Sequence, residues 1–147
     1  EIGLKDYKIP RKGEFGWIFL IAPTKEESAK VAKDFSLDKK FFEQYHKINH
    51  SQRFSTNPLV FVLVDYYLDK NSEVKHSRLL FVLTDTCIIT AIATPNEYYE
   101  TLFDETVQIF DAEEEKSLGK LLYTFMRQDI EDNYDVLQVY DNKIMAL

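Results

Sequence analysis

Leu59-Val60-Phe61-Val62-Leu63-Val64-Asp65-Tyr66-Tyr67 is a nine-residue run, β-branched or aromatic at most positions and broken by one charge, Asp65. Two more such runs follow, Leu79 to Leu83 and Cys87 to Ala93. Runs of this length rich in Val, Ile, Phe and Thr predict strands. Asp69-Lys70-Asn71-Ser72 joins the first two and Thr84-Asp85-Thr86 the last two, and connections this short make hairpins, so this part of the sheet is antiparallel. Strands so apolar need cover on both faces, which predicts helices around them.

Upstream, Trp17-Ile18-Phe19-Leu20-Ile21-Ala22 reads as a further buried strand, closed by Pro23. An edge strand is expected near Ile2–Tyr7 and another over Gln52–Ser55. Thr24-Lys25-Glu26-Glu27 is a capping box: the threonine hydroxyl accepts from the third helical N–H and Glu27 reaches back. The helix it opens turns Ala29, Val31, Ala32 and Phe35 inward. A second, short helix is expected from about Asp38 to Lys47, carrying Phe41, Phe42 and Tyr45. Downstream, Thr94-Pro95-Asn96-Glu97 reads as another capping box, opening a helix that buries Tyr98, Tyr99, Leu102, Phe103, Thr106, Val107 and Phe110.

From Ser117 onward apolar residues recur at spacings of three and four through Ile144, the pattern of an amphipathic helix. Thirty-one helical residues would extend about 45 Å, longer than a small domain is wide. The final Ile144-Met145-Ala146-Leu147 carries no helix-stop residue, so the helix is expected to continue in a longer parent. The order predicts an α/β (α+β) fold. A mixed, largely antiparallel sheet lies between helices (α/β/α) over residues 1–116, and a long helix over 117–147 begins a projecting stalk.

Composition fits one globular domain: 45% of the residues are hydrophobic and 14% aromatic. No apolar run reaches the 18 residues of a membrane span, and no signal peptide is visible. The lone Cys87 sits in an apolar run and reads as a buried, inert thiol, which favours the cytoplasm. Charge is segregated: residues 1–96 hold 14 Lys and Arg against 12 Asp and Glu, whereas residues 97–147 hold 4 against 13. So acidic a C-terminal third argues against nucleic acid as a partner and suits divalent cations or a basic protein surface.

No catalytic constellation emerges. No glycine-rich loop opens a helix to cradle phosphate, Cys87 has no activating neighbour in sequence, and Ser51 beside His50 is adjacency rather than a triad. Two groups could hold metal. Glu43, His46 and His50 would share one face of a helix reaching residue 50, a donor set suited to zinc. Glu131, Asp132 and Asp135, with Asp129 nearby, form an acidic stripe on the long helix. Glu131 and Asp135, four apart, share a face that suits a hard cation such as Mg2+, with a facing chain completing the site.

These segments resemble the N-terminal cytoplasmic domain of the CorA-type magnesium and cobalt transporters. Trp17-Ile18-Phe19-Leu20 followed by Pro23-Thr24-Lys25-Glu26-Glu27 is similar to that family's Trp-Ile-x-Leu-x-x-Pro-Thr-x-Glu-Glu opening. Phe35-Ser36-Leu37 with Phe42-Glu43, then Gln52-Arg53, then Ile89-Thr90 at the end of a hairpin, occur in the family's order. Leu121-Leu122-Tyr123 and Tyr134 with Val136-Leu137 are similar to the start of its stalk helix. The likeness covers about residues 15 to 145.

The resemblance implies a homopentamer whose cytoplasmic domains form a funnel, with the stalk leading to two membrane spans and a Gly-Met-Asn motif at the pore mouth. It implies regulatory divalent ions, Mg2+ or Co2+, bound between neighbouring domains and holding the pore closed. Glu43 is carried over from the family's second-helix acids, and the stalk acids Glu131 and Asp135 complete the expected ligand set. Several positions depart from the pattern. This chain has neither Gly-Met-Asn nor a span, Gln44 replaces the second acid of the pair, Arg127 stands where an acid is common, and Phe54 replaces proline after Gln52-Arg53. A soluble interaction module that pairs its long helix with a partner helix is the alternative of a different class, and a zinc transporter of the same fold the alternative within the family.

Overall fold

The computed structural model describes residues 14–146; the edge strand expected near Ile2–Tyr7 lies outside them. In chain order the elements are β1 (Gly16–Ile21), α1 (Lys25–Asp34), α2 (Lys40–Gln44), a 3-10 turn (Tyr45–Lys47), β2 (Gln52–Thr56), β3 (Leu59–Leu68), β4 (Val74–Leu83), β5 (Cys87–Ile92), α3 (Glu97–Asp111) and α4 (Leu118–Met145). The five strands form one sheet in the order β1-β5-β4-β3-β2. β1 runs parallel to β5, whereas β4 is antiparallel to β5 and β2 to β3. The fold is the mixed, mostly antiparallel α/β class with a long C-terminal helix that the three apolar runs predict.

Contacts divide the chain into two compact units. One comprises the residues through Val64 with Arg78–Pro95; the other comprises Asp65–Ser77 with Asn96–Leu147. The first holds an apolar core in which Leu20, Val31, Val60, Val62, Leu80, Val82, Ile89 and Ala91 are essentially inaccessible. All six residues of β5 are buried, so this strand reads as a continuous apolar run rather than an alternation. Its one hydroxyl, Thr90, accepts a 2.8 Å hydrogen bond from the Trp17 indole. Cys87 is buried here too, and burial pushes its thiol up to about 12, which keeps it protonated and unreactive.

Helix α1 starts at the expected capping box: Thr24 Oγ1 accepts from the Glu27 N–H at 3.1 Å and Glu27 Oε1 from the Thr24 N–H at 3.0 Å. It ends in a Schellman motif. Leu37 N–H bonds Ala32 C=O at 2.7 Å, Ser36 N–H bonds Lys33 C=O at 3.2 Å, and Ser36 takes the left-handed φ of 53°.

The second helix differs from expectation. It spans five residues, tightens into the 3-10 turn, and leaves helical geometry at Ile48. The Arg78 guanidinium reaches across from β4 to Ile48 C=O and, at 3.3 Å, to Asn49 Oδ1. The first of these bonds satisfies a carbonyl that a longer helix would have used internally.

β4 begins five residues earlier than its apolar run suggests, because exposed Lys75 and His76 carry the strand outward beyond Leu79. The cap of α3 also lies two residues later than expected. Asn96, not Thr94, holds the N-terminus, its Oδ1 accepting from Tyr98 and Tyr99 N–H at 2.9 and 3.4 Å. Ser117 caps α4 as expected, accepting from Lys120 N–H at 3.1 Å.

Candidate functional site

In the second unit, formed by the tip of the β3–β4 hairpin with α3 and α4, the sequence places two acids in buried positions. Asp65 is the charge inside the apolar run of β3 and is 5% exposed. Asp129 falls on the inward face of α4, eight residues from Leu121 and four from Phe125, and is 3% exposed. Buried carboxyls persist when they find hydrogen-bond donors. Two adjacent tyrosines at the start of α3 supply them. The Tyr99 hydroxyl donates to Asp65 Oδ2 at 2.7 Å. The Tyr98 hydroxyl lies 2.8 Å from Asp129 Oδ1 and 3.2 Å from Asp132 Oδ2. The three rings of Tyr67, Tyr98 and Tyr99 pack together, Tyr67 and Tyr98 stacked with centroids 5.1 Å apart and Tyr99 edge-on to both.

One hydroxyl has one hydrogen, and Tyr98 donates it to Asp129 Oδ1, the nearer of its two carboxyl neighbours. Asp129 is the acid held neutral. Burial first, then its hydrogen bond to Asp65 and the charge there, push it up to about 8. Asp132 is raised in the same direction, mainly by burial. The Tyr98 and Tyr99 hydroxyls are held well above the ordinary tyrosine range by burial and by the acids beside them, so both remain donors. The network ties α3, α4 and the hairpin by directional bonds.

The expected metal ligands are distributed differently. Glu43 is exposed on α2, in the first unit. Glu131 and Asp135 are exposed on α4, in the second, four residues apart on one face as the spacing predicts. Glu131 accepts from Arg127 at 3.3 Å, an i, i+4 pair. His50 lies beyond the helix end at Ile48, so Glu43, His46 and His50 do not share a helical face. That expectation fails because the chain is redirected where Arg78 binds it. Among the described residues no group of three or more His, Cys, Asp or Glu is arranged to hold a metal ion. A cation on these acids would need oxygens from elsewhere.

Sequence reasoning missed the carboxyl–tyrosine network. Its signals were present: a lone charge in an otherwise apolar strand, and an acid four residues after Phe125 on the inward stripe of α4. What sequence could not supply was the pairing of residues more than thirty positions apart.

Among the described residues no helix is long and apolar enough to cross a membrane. The fold is shared with solved magnesium-transporter structures from Methanocaldococcus jannaschii. The complete CorA transporter superposes with a TM-score of 0.65 at 13% identity, covering 88% of this chain and 41% of that one. The soluble domain of CorA gives 0.63 at 11% identity, covering 88% and 52%. This chain therefore spans about half the length of the structures it resembles. At these identities the likeness shows the fold. The chain belongs to the CorA-like Mg2+ transporter protein family, whose model matches residues 12–147. No curated protein matches the sequence.

Proposed function

We propose that this chain is the cytoplasmic, metal-sensing part of a CorA-like divalent-cation transporter, coupling internal Mg2+ or Co2+ to opening of a pore carried elsewhere in the parent. The observation that carries the reading is the family match across residues 12–147. The acidic C-terminal third supports it, since carboxylate oxygens are the ligands hard cations take. Glu43 from one copy with Glu131 and Asp135 from a neighbour would supply those oxygens while the ion keeps several waters. The parent would assemble as a pentamer, with α4 carrying the signal along its length.

Such an ion acts by differential affinity: bound between two copies it stabilises the arrangement that brings the acids together, and its loss releases that arrangement. Arg127 places a fixed cation beside Glu131, so this chain should respond at higher Mg2+ than one with an acid there. The test is a thermal melt of the chain with and without millimolar Mg2+ or Co2+, at several protein concentrations. A native-state ligand raises the midpoint by mass action, equivalent to about 2.7 kcal/mol at a hundredfold excess over Kd. The reading predicts a rise that grows with protein concentration; no shift at any concentration would overturn metal sensing by these residues.

A further inference from the structure

The stretch around α2 and the helix α4 carry charge patterns of opposite sign. From Lys39 to Lys47 the chain holds three lysines, at 39, 40 and 47, and one acid, Glu43, all four exposed. From Leu121 to Asn142 it holds five acids and one cation, Arg127. Of those acids Asp129 is buried and the other four are exposed. Each segment therefore has a single charge of the minority sign at its surface. Arg127 Nε lies 3.3 Å from Glu131 Oε1, with the two side chains 62 and 54% exposed. Among the described residues Arg127 pairs with Glu131 alone. A guanidinium offers five N–H donors in a planar fork, enough to hold a second carboxylate beside the first.

Glu43 of one copy, brought to Glu131 and Asp135 of the next, puts three carboxylates at one contact. Without an ion they repel, and the more so as water is excluded. Arg127 changes that balance, because Arg127, Glu131 and Asp135 follow at intervals of four and share one face of α4. On the opposing side Lys40 precedes Glu43 by three residues and Lys47 follows it by four. Set against each other, the two rows match cation to anion at more than one position: Arg127 with Glu43, and lysine with the stalk acids. Gln44, exposed beside Glu43, adds an amide that donates as well as accepts. Hard cations take oxygen acceptors alone, so the donors here suit a direct contact between chains.

We propose that Arg127 is a tethered counter-ion at the contact between copies, donating to Glu131 of its own chain and to Glu43 of the neighbouring copy. The inference rests on the reading that α2 of one copy meets α4 of the next. Such a head-to-tail pairing repeats around a ring, so it suits the pentamer. Arg127 holds the contact weakly when no ion is bound, and Mg2+ strengthens a contact that already exists. The span between the ion-free and ion-bound states is therefore narrower than it would be with the acids alone.

Sedimentation of the 147-residue chain, in EDTA and in millimolar Mg2+, tests it. In EDTA, weak self-association is expected at about 50 mM salt and its loss at about 0.5 M, where screening shortens the reach of exposed charges. Arg127→Gln should weaken the association in EDTA by up to about fivefold, and the gain on adding Mg2+ should then exceed that of wild type. Arg127→Glu puts a further carboxylate at the contact and should weaken it about tenfold or more. Adding Glu43→Arg should recover it, whereas Glu105→Arg, the same change of charge on exposed α3, should not. All these positions are exposed, and far-UV spectra and melts show that each variant is folded. No association in EDTA at low salt, indifference to Arg127→Gln, or equal recovery by Glu105→Arg would overturn the proposal. Association that follows these charges but gains nothing from Mg2+ would support the pairing and remove the metal reading. Mg2+-driven association that ignores Arg127 would refute the pairing and leave the metal reading standing.

Discussion

The two units of the molecule solve the burial problem in opposite ways. In the first, apolar side chains go in and polar ones stay out: β5 is buried at every position, and its one hydroxyl is answered by Trp17. Capping box, Schellman turn and strand composition all favour the same local structure, the consistency that lets a sequence specify one fold. In the second, the pattern is inverted. Two acids, Asp65 and Asp129, sit inside, while Tyr134, Leu137 and Ile144 face outward. Proteins keep such inversions where something other than the stability of the isolated domain is at stake. The first unit is held by apolar packing, and the second keeps two carboxyls inside on tyrosine donors.

The largest expected difference between them is in response to truncation. Ile89→Ala in the apolar core should cost about 2–5 kcal/mol, because a well-packed site collapses only partly around the cavity. Urea denaturation measures it. A loss well under 1 kcal/mol would mean that the first unit is not the rigid one.

Next in size is Tyr99→Phe, which keeps the ring and removes the donor to Asp65. It should cost about 1–3 kcal/mol, the penalty of a buried acceptor left unsatisfied. A neutral outcome would place water or another donor at Asp65 and dissolve the contrast drawn here.

The pH dependence near neutrality belongs to the second unit. Folded Asp129 holds its proton up to about 8, whereas an aspartate in an unfolded chain releases it near 4. Between those values the native state binds more protons than the unfolded one, so this group's contribution to stability falls as pH rises through that window. It is fully present below about pH 4 and gone above about pH 8. Asp129→Asn should flatten the slope and leave the chain more stable than wild type at pH 8, read by melts across pH 5–9. A slope unchanged in the variant would assign the effect to other groups.

The smallest effect belongs to the scaffold. Ser36 occupies the left-handed position that ends α1, so Ser36→Gly relieves about 1–2 kcal/mol of Cβ strain against an unfolded-state entropy cost of about 0.4–1 kcal/mol, a net gain of up to about 1 kcal/mol in the same denaturation assay.

The contrast also explains how far the sequence could be read. Strands β3 and β5, the parallel companion β1 and the caps Thr24 and Ser117 were legible, because local composition and packing agree there. Where a distant residue intervenes, the reading slipped. Arg78 ends the second helix early from thirty positions away, and Asn96 outcompetes Thr94 as a cap because its amide oxygen reaches two N–H groups. The polar start of β4 was invisible to an apolar-run criterion. For the candidate site, spacing put Glu131 and Asp135 on one face of α4, but it could not pair Asp65 with Tyr99 or Asp129 with Tyr98. Those bonds are properties of the fold, not of any window of sequence.

The claim of metal sensing is tested most directly by a Mg2+ binding isotherm on the chain, repeated on the triple variant Glu43→Gln, Glu131→Gln, Asp135→Asn. The account predicts saturable binding that steepens with protein concentration and disappears in the variant. Absence of saturable binding, or binding that the three substitutions leave intact, would contradict it.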